Sequence, residues 1–267
     1  MSRNFELLRK VLDEQVLLGQ GTGYSPVIKT DARDREPGPT DDVIREQKSI
    51  AQAIARKPSE AEKEELVKLV RNAFLFPNSH APRLVCFSSI ERGGAAEICL
   101  RTAETLSQQV SGSICLVEGN VQAPSLHDLL GIRNTRGLVD AMKEPAPIIE
   151  YAANVGENNL WFLSLGATAG VSVAGLFGSE RLRTRLAELK EQFDYVLMDA
   201  PTASLDGDAI LLGQMTDGLI LVLEANSTRR ETARMIKENL DKAKVKILGA
   251  ILNNRSFPIP EKLYRKL

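Results

Sequence analysis

From residue 82 onward the sequence alternates short runs that are apolar throughout with longer segments whose apolar residues recur every three or four positions. Few chains can satisfy that pattern. A strand that is apolar on both faces must be buried on both, and an amphipathic helix has one stripe to bury. The spacing predicts strands over 83–89, 113–119, 160–166, 194–201, 218–225 and 246–253. Between them it predicts helices over about 94–109, short helices within 124–144, a helix in which Leu182, Leu186, Leu189 and Phe193 form one stripe, one from about 208, and one over 228–243. Strands joined through helices pair in parallel, so the fold class expected is α/β: a doubly wound, mostly parallel sheet flanked by helices. Ligands of such sheets sit at the carboxyl ends of the strands, which makes the residues ending each strand the ones to inspect.

The segment before residue 59 reads differently. Residues 1–19 carry Phe5, Leu8, Val11, Leu12 and Val16 at helical spacing and read as an amphipathic helix. Residues 20–58 read as a flexible linker; 20–42 mix Gly, Pro, Asp and Arg without periodicity. Ser59 is a candidate N-cap, with Glu62 at the capping-box position of a charged helix whose stripe is Leu66, Leu69, Val70 and Phe74. The domain proper is therefore placed at 59–267, behind a helical N-terminal extension.

Charge and composition exclude several classes. Thirty-four Lys and Arg against thirty-five Asp and Glu give a net charge of -1, so no global positive field draws the chain to nucleic acid. No apolar run is long enough to span a bilayer, and the N-terminus lacks a signal peptide's apolar region; a cytoplasmic location is expected. Cys86, Cys99 and Cys115 lie singly among apolar neighbours and read as core residues. His80 and His127 show no surrounding His, Cys or carboxylate constellation, so neither a histidine metal site nor a Ser-His-Asp triad is expected.

Three strand ends, taken together, resemble one family. FDYVLMDAPTASLDGDAILLGQMTDGLILVLEANSTRRE, with Asp199, Pro201, Asp208, Asp217, Gly218, Thr228, Arg230 and Glu231, is similar to the Walker B region of bacterial tyrosine kinases. Pro124, Ser125, Leu126, His127 and Gly131 resemble the family's second phosphate-side motif, and GLVDAM (137–142) and ILGAILNN (247–254) also fit. The resemblance spans about residues 60–255. It implies a P-loop NTPase-like fold of the MinD/ParA kind, a role in capsule or exopolysaccharide production, and Mg-ATP as cofactor in active members.

The residues that carry chemistry depart from the family's pattern. A Walker A loop cradles phosphates with backbone N–H groups, a lysine and a metal-binding hydroxyl. In SSIERGGAAEICL, aligning Ser89, Gly93 and Gly94 with the family puts Ala96 at the lysine and Glu97 at the hydroxyl. The family's Asp-x-Asp-x-Arg becomes Glu118, Asn120 and Gln122. Losing a charged hydrogen bond worth on the order of 1.5–3 kcal/mol weakens binding roughly ten- to a hundredfold. The expectation is a degenerate nucleotide site with no cofactor or metal, in which Glu97, with Glu91, takes the place of phosphate. Asp199 would hold the magnesium water shell in an active member; without metal it reads as the cap of the DAPT turn. Asn253 ends the last strand where members of this fold recognise adenine. Glu65, Lys68 and Arg71 match an oligomer-forming Glu-x-x-Arg-x-x-Arg helix, with lysine in place of the first arginine, implying homo-oligomer contacts. Tyr264 is the one tail tyrosine available for phosphorylation. The expected partners are a membrane-spanning chain-length regulator or an active kinase paralogue, recruiting the protein to the inner face of the membrane; the alternatives are an active ATP-dependent tyrosine kinase and a ParA/MinD-like ATPase.

Overall fold

Seven strands form a single sheet: β1 (Leu84–Ser89), β2 (Ile114–Glu118), β3 (Ala153–Asn154), β4 (Leu160–Leu163), β5 (Tyr195–Asp199), β6 (Gly218–Glu224) and β7 (Ile247–Asn253). Their order is β3-β4-β2-β5-β1-β6-β7. Every pairing is parallel except β3 with β4. The computed structural model describes residues 58–76, 81–91, 94–123, 125–155, 159–167, 176–203 and 207–254. The expected N-terminal helix at 1–19, nearly all of the linker at 20–58, Gly93, His80 and Tyr264 lie outside the described residues.

The chain winds helices onto both faces: α1 (Glu60–Val70), α2 (Ala95–Ser107), α3 (Leu126–Leu130), α4 (Leu138–Lys143), α5 (Glu180–Gln192), α6 (Asp208–Met215) and α7 (Arg230–Lys242). Alternation along the strands divides the core in two. Val85, Phe87, Leu116 and Leu197 pack under α1 and α2, through Val70, Phe74, Cys99, Leu100 and Ala103. Cys86, Val117, Val196 and Met198 face the other layer, through Leu182, Leu186, Leu189, Leu212, Ile236 and Leu240. All three cysteines are buried, as their apolar contexts predict. Among the described residues no helix is long and apolar enough to cross a membrane.

Local signals behave as read. Ser59 caps α1, accepting from the Glu62 amide while Glu62 reaches back to the Ser59 amide, 2.6 Å. Four points differ from expectation. α1 continues into a π-helical turn over Arg71–Leu75, which aims Phe74 edge-on at Tyr195, ring centroids 6.1 Å apart. β4 ends at Leu163 rather than 166, because the next backbone groups pair elsewhere: Leu138 and Val139 donate to the Ser164 and Leu165 carbonyls. A 3-10 turn at Ile148–Tyr151 and the two-residue β3 carry too few residues for any periodicity to reveal. β2, β5, β6, α2 and α7 stop one or two residues short of the expected ends, while β1 and β7 end where expected.

Candidate functional site

Because β1 sits between β5 and β6 while the chain runs from β1 outward to β2, the sheet switches winding direction beside β1, and the carboxyl ends there are where a doubly wound sheet forms its crevice. Its walls are tied down by short bonds. Ser88 Oγ donates to the Pro201 carbonyl, 2.6 Å, and the Ala203 amide donates to the Ser89 carbonyl, 2.8 Å. The Gly119 amide donates to the Asp199 carbonyl, 2.9 Å; a Cβ at Gly119 would lie 2.9 Å from that same oxygen, so the approach requires glycine. Gly94, with φ +82°, opens α2 without a side-chain cap, and a Cβ there would meet Asn253 Nδ2 at 2.8 Å. Thus Asn253, at the end of β7, lies against the start of α2.

Two carboxylates form the floor. Glu118 and Asp199 end adjacent strands and face each other in register, and both are fully buried. Strand alternation puts them on the side covered by α2. Glu118 is fully engaged: it accepts from the His127 amide at 3.2 Å, from the Leu165 amide at 3.1 Å, and lies 2.9 and 3.0 Å from His127 Nδ1. Asp199 is the opposite case. Among the described residues, neither of its side-chain oxygens meets a hydrogen-bond partner. Burial, and then the adjacent Glu118 charge, push its carboxyl well above the usual carboxylate range; the nearby Asn120 side chain pulls the other way without reaching hydrogen-bond geometry. The Cys99 thiol in α2 is likewise pushed up, first by burial and then by Asp199.

The residues singled out in the sequence fall in several places. Ser89, Gly94, Glu118, Asp199 and Asn253 converge on the crevice. Asn120 Oδ1 accepts from the Gln122 and Ala123 amides at 3.3 and 3.2 Å, closing the turn after β2. Ala96 is 8% exposed and belongs to the core under α2, and Glu97 stands half-exposed in that helix's first turn. Glu91 accepts from Ser227 Oγ at 3.3 Å, on the loop after β6. Asp199 does not cap the DAPT turn: neither of its side-chain oxygens accepts a hydrogen bond among the described residues. His127 does have a carboxylate constellation, Glu118 and, at 3.5 Å from Nε2, Asp128. That pairing joins residues nine apart through the turn after β2, a distance no helical or strand spacing encodes. Asp217, one of the positions that carry the resemblance, straps the opposite end of the sheet, accepting from the Arg83 and Leu84 amides and from Lys190 Nζ. On α1, Glu65 and Lys68 pair at 2.7 Å on the surface, and Arg71 is exposed at the helix end. Among the described residues no group of three His, Cys, Asp or Glu side chains could hold a metal ion.

Comparison with known proteins decides the kinship. Over 164 residues the chain is 27% identical to the tyrosine-protein kinase YwqD of Bacillus subtilis, covering 61% of this chain and 68% of that protein. The chain is a homologue of bacterial tyrosine-protein kinases. It is also 23% identical to the putative tyrosine-protein kinase CapB of Staphylococcus aureus over 186 residues, 69% of this chain and 81% of that one. No protein-family profile matches it. Among solved structures, this kinase homologue shares its fold with the chimerical protein CapA2B2, TM-score 0.70 at 19% identity, covering 78% of this chain and 91% of that chain. It shares the fold also with a chain of the MinC:MinD cell division protein complex of Aquifex aeolicus, TM-score 0.54 at 16% identity, covering 69% of this chain and 72% of that chain. The mostly parallel sheet flanked by helices is therefore a P-loop NTPase-like fold.

Proposed function

We propose that this chain is a regulatory protein of capsule or exopolysaccharide production that acts by binding another protein, with a nucleotide site too degenerate to depend on ATP. The observation that carries this reading is the pair at the start of α2: Ala96, in the core, at the position of the phosphate-gripping lysine, and Glu97 in the first turn. A carboxylate near a helix N-terminus is favoured by roughly 0.3–1 kcal/mol, but it repels a phosphate brought to the same end. On this reading the donor set does not suit magnesium triphosphate, and no chemical step is assigned to it. The partners proposed are a membrane-spanning chain-length regulator or an active kinase paralogue, which would bring the protein to the inner face of the membrane. The charged face of α1, with Glu65, Lys68 and Arg71, is the candidate contact for a partner or a second copy.

A second reading, an active ATP-dependent tyrosine kinase, is favoured by one observation: Asp199 is buried without a donor, as a group completed by a bound cation would be. Melting temperature followed through a Mg·ATP and Mg·ADP titration separates the two. A site with Kd near 10 μM stabilises by about 2.7 kcal/mol at a hundredfold excess of ligand. A flat response over millimolar nucleotide is expected; a rise of that size would overturn the binding-protein reading.

A further inference from the structure

The sheet ends in a strand with one side open. β7 is last in the strand order, and no strand lies beyond it among the described residues. Its residues are half-buried or exposed although most are apolar, whereas β1 in mid-sheet is buried throughout. The Asn253 carbonyl accepts from the Ala225 amide at 2.9 Å, which turns the main-chain groups of Asn253 and Ile251 towards β6. Main-chain groups alternate in direction along a strand, so those of Ala250 and Leu252 point outward. The Leu252 side chain is 44% exposed, a large apolar group left uncovered on this last strand. Asn254 follows with a left-handed backbone, φ +52°, and donates from Nδ2 to Glu224 Oε1 at 2.6 Å, so the chain turns as it leaves β7.

We infer that residues 257–261 return antiparallel along β7 and close this edge as an eighth strand. The sequence after the turn is RSFPIPE. Pro258 and Pro260 are two apart, so in a strand their missing N–H groups fall on one side, while Phe257, Ile259 and Glu261 present theirs to the other. Only an outermost strand accommodates that arrangement, with its prolines facing solvent, and the prolines then bar further pairing. The same alternation fixes the register. Odd-numbered residues of the segment can donate, and even-numbered residues of β7 face out. A two-residue loop over 253 and 254 needs a left-handed Asn253, which this backbone lacks. The next loop that keeps the parity spans 253–256 and sets Leu252 opposite Phe257 and Ala250 opposite Ile259. Directly opposed residues share a face, so Phe257 covers the exposed Leu252. A strand from another molecule could pair with the same edge, but it would lose translational freedom, whereas this segment closes only a short loop. The return strand carries Tyr264 towards the amino end of β7, away from the carboxyl ends that form the candidate site. The inference does not depend on the state of that site.

Residue-resolved hydrogen exchange by NMR on the full chain, at two protein concentrations, tests it. The amides of Ala250, Leu252, Phe257 and Ile259 are expected to exchange about a hundredfold or more slower than in an unstructured chain, equally at both concentrations. Ile259→Pro puts a proline on the inward side and is expected to abolish that protection at Ala250 and Leu252. Pro258→Ala changes an outward position and is expected to leave it in place. The mid-sheet amides of Leu116 and Leu197 report that each variant is folded; should Ile259→Pro fail to fold, the wild-type rates at Phe257 and Ile259 decide. Unprotected Phe257 and Ile259 amides in the wild type overturn the inference. So does protection at Ala250 and Leu252 that survives Ile259→Pro or is lost in Pro258→Ala. Protection that rises with protein concentration also overturns it, and assigns the edge to a second copy.

Discussion

Replacing Asp199 by asparagine is expected to raise stability at neutral pH, by an amount that grows with pH. The carboxylate is buried beside Glu118 with no donor among the described residues, so folding penalises its charged form, first through burial and then through Glu118. Its folded pKa lies above the roughly 3.9 of an unfolded aspartate. Between those two values the folded chain binds more protons than the unfolded chain, and unfolding free energy falls as pH rises. Asp199's contribution is thus fully present below about pH 4 and is lost as pH climbs towards the folded pKa. The slope for one proton is at most about 1.4 kcal/mol per pH unit, so a rise of two units removes up to roughly 2.7 kcal/mol. Asparagine carries no such proton. Its amide stays buried, and leaving it unsatisfied costs about 1–3 kcal/mol, nearly independent of pH. The two stability curves should therefore converge or cross near pH 5 and separate above it, with the variant the more stable by pH 8. Urea unfolding at pH 5, 6, 7 and 8, with the m-value checked for constancy, reads this directly. Parallel profiles for the two proteins would refute the account, because they would mean that Asp199 binds no extra proton on folding.

Two further outcomes follow from the same geometry. His127→Ala should destabilise by about 1–3 kcal/mol in urea unfolding, since Glu118 keeps its two amide donors and loses the ring 2.9 Å away; a change below about 0.5 kcal/mol would dismiss the contact. Asp217→Asn should lose about 1–2 kcal/mol, discounted because the site is partly exposed. Burial opposes the charge of Asp217, but Lys190 and the Leu84 and Arg83 amides hold its carboxyl below the usual range. The contribution is present above the unfolded pKa and disappears as pH falls through the folded one, so the wild type and the variant should approach each other below about pH 4.

How far the site could be read from the sequence depends on what each residue touches. The Ser59–Glu62 cap closes within three positions, and its residue types alone announce it. The strands follow from runs that are apolar throughout, and the stripe of α5 from a period near 3.6. Ala96 and Glu97 are singled out by alignment to a motif, and both lie in the first turn of α2. His127 was visible as a letter and missed as a partner, because its contact with Glu118 requires the turn after β2 to fold back. Asp217 stood out as a matching position, but its bonds to Arg83, Leu84 and Lys190 join residues far apart in the chain and only the fold shows them.

By itself, then, the sequence determined the layers: which segments must be buried on both faces, which on one, and hence a parallel sheet between helices. It determined as well which side chains stand at the start of α2, since those are matters of local order along the chain. Only the tertiary structure decided that Glu118 and Asp199 lie side by side and that one is fully bonded while the other meets no hydrogen-bond partner among the described residues. Those strands are some eighty residues apart, and the register that joins them is set by packing across the whole sheet.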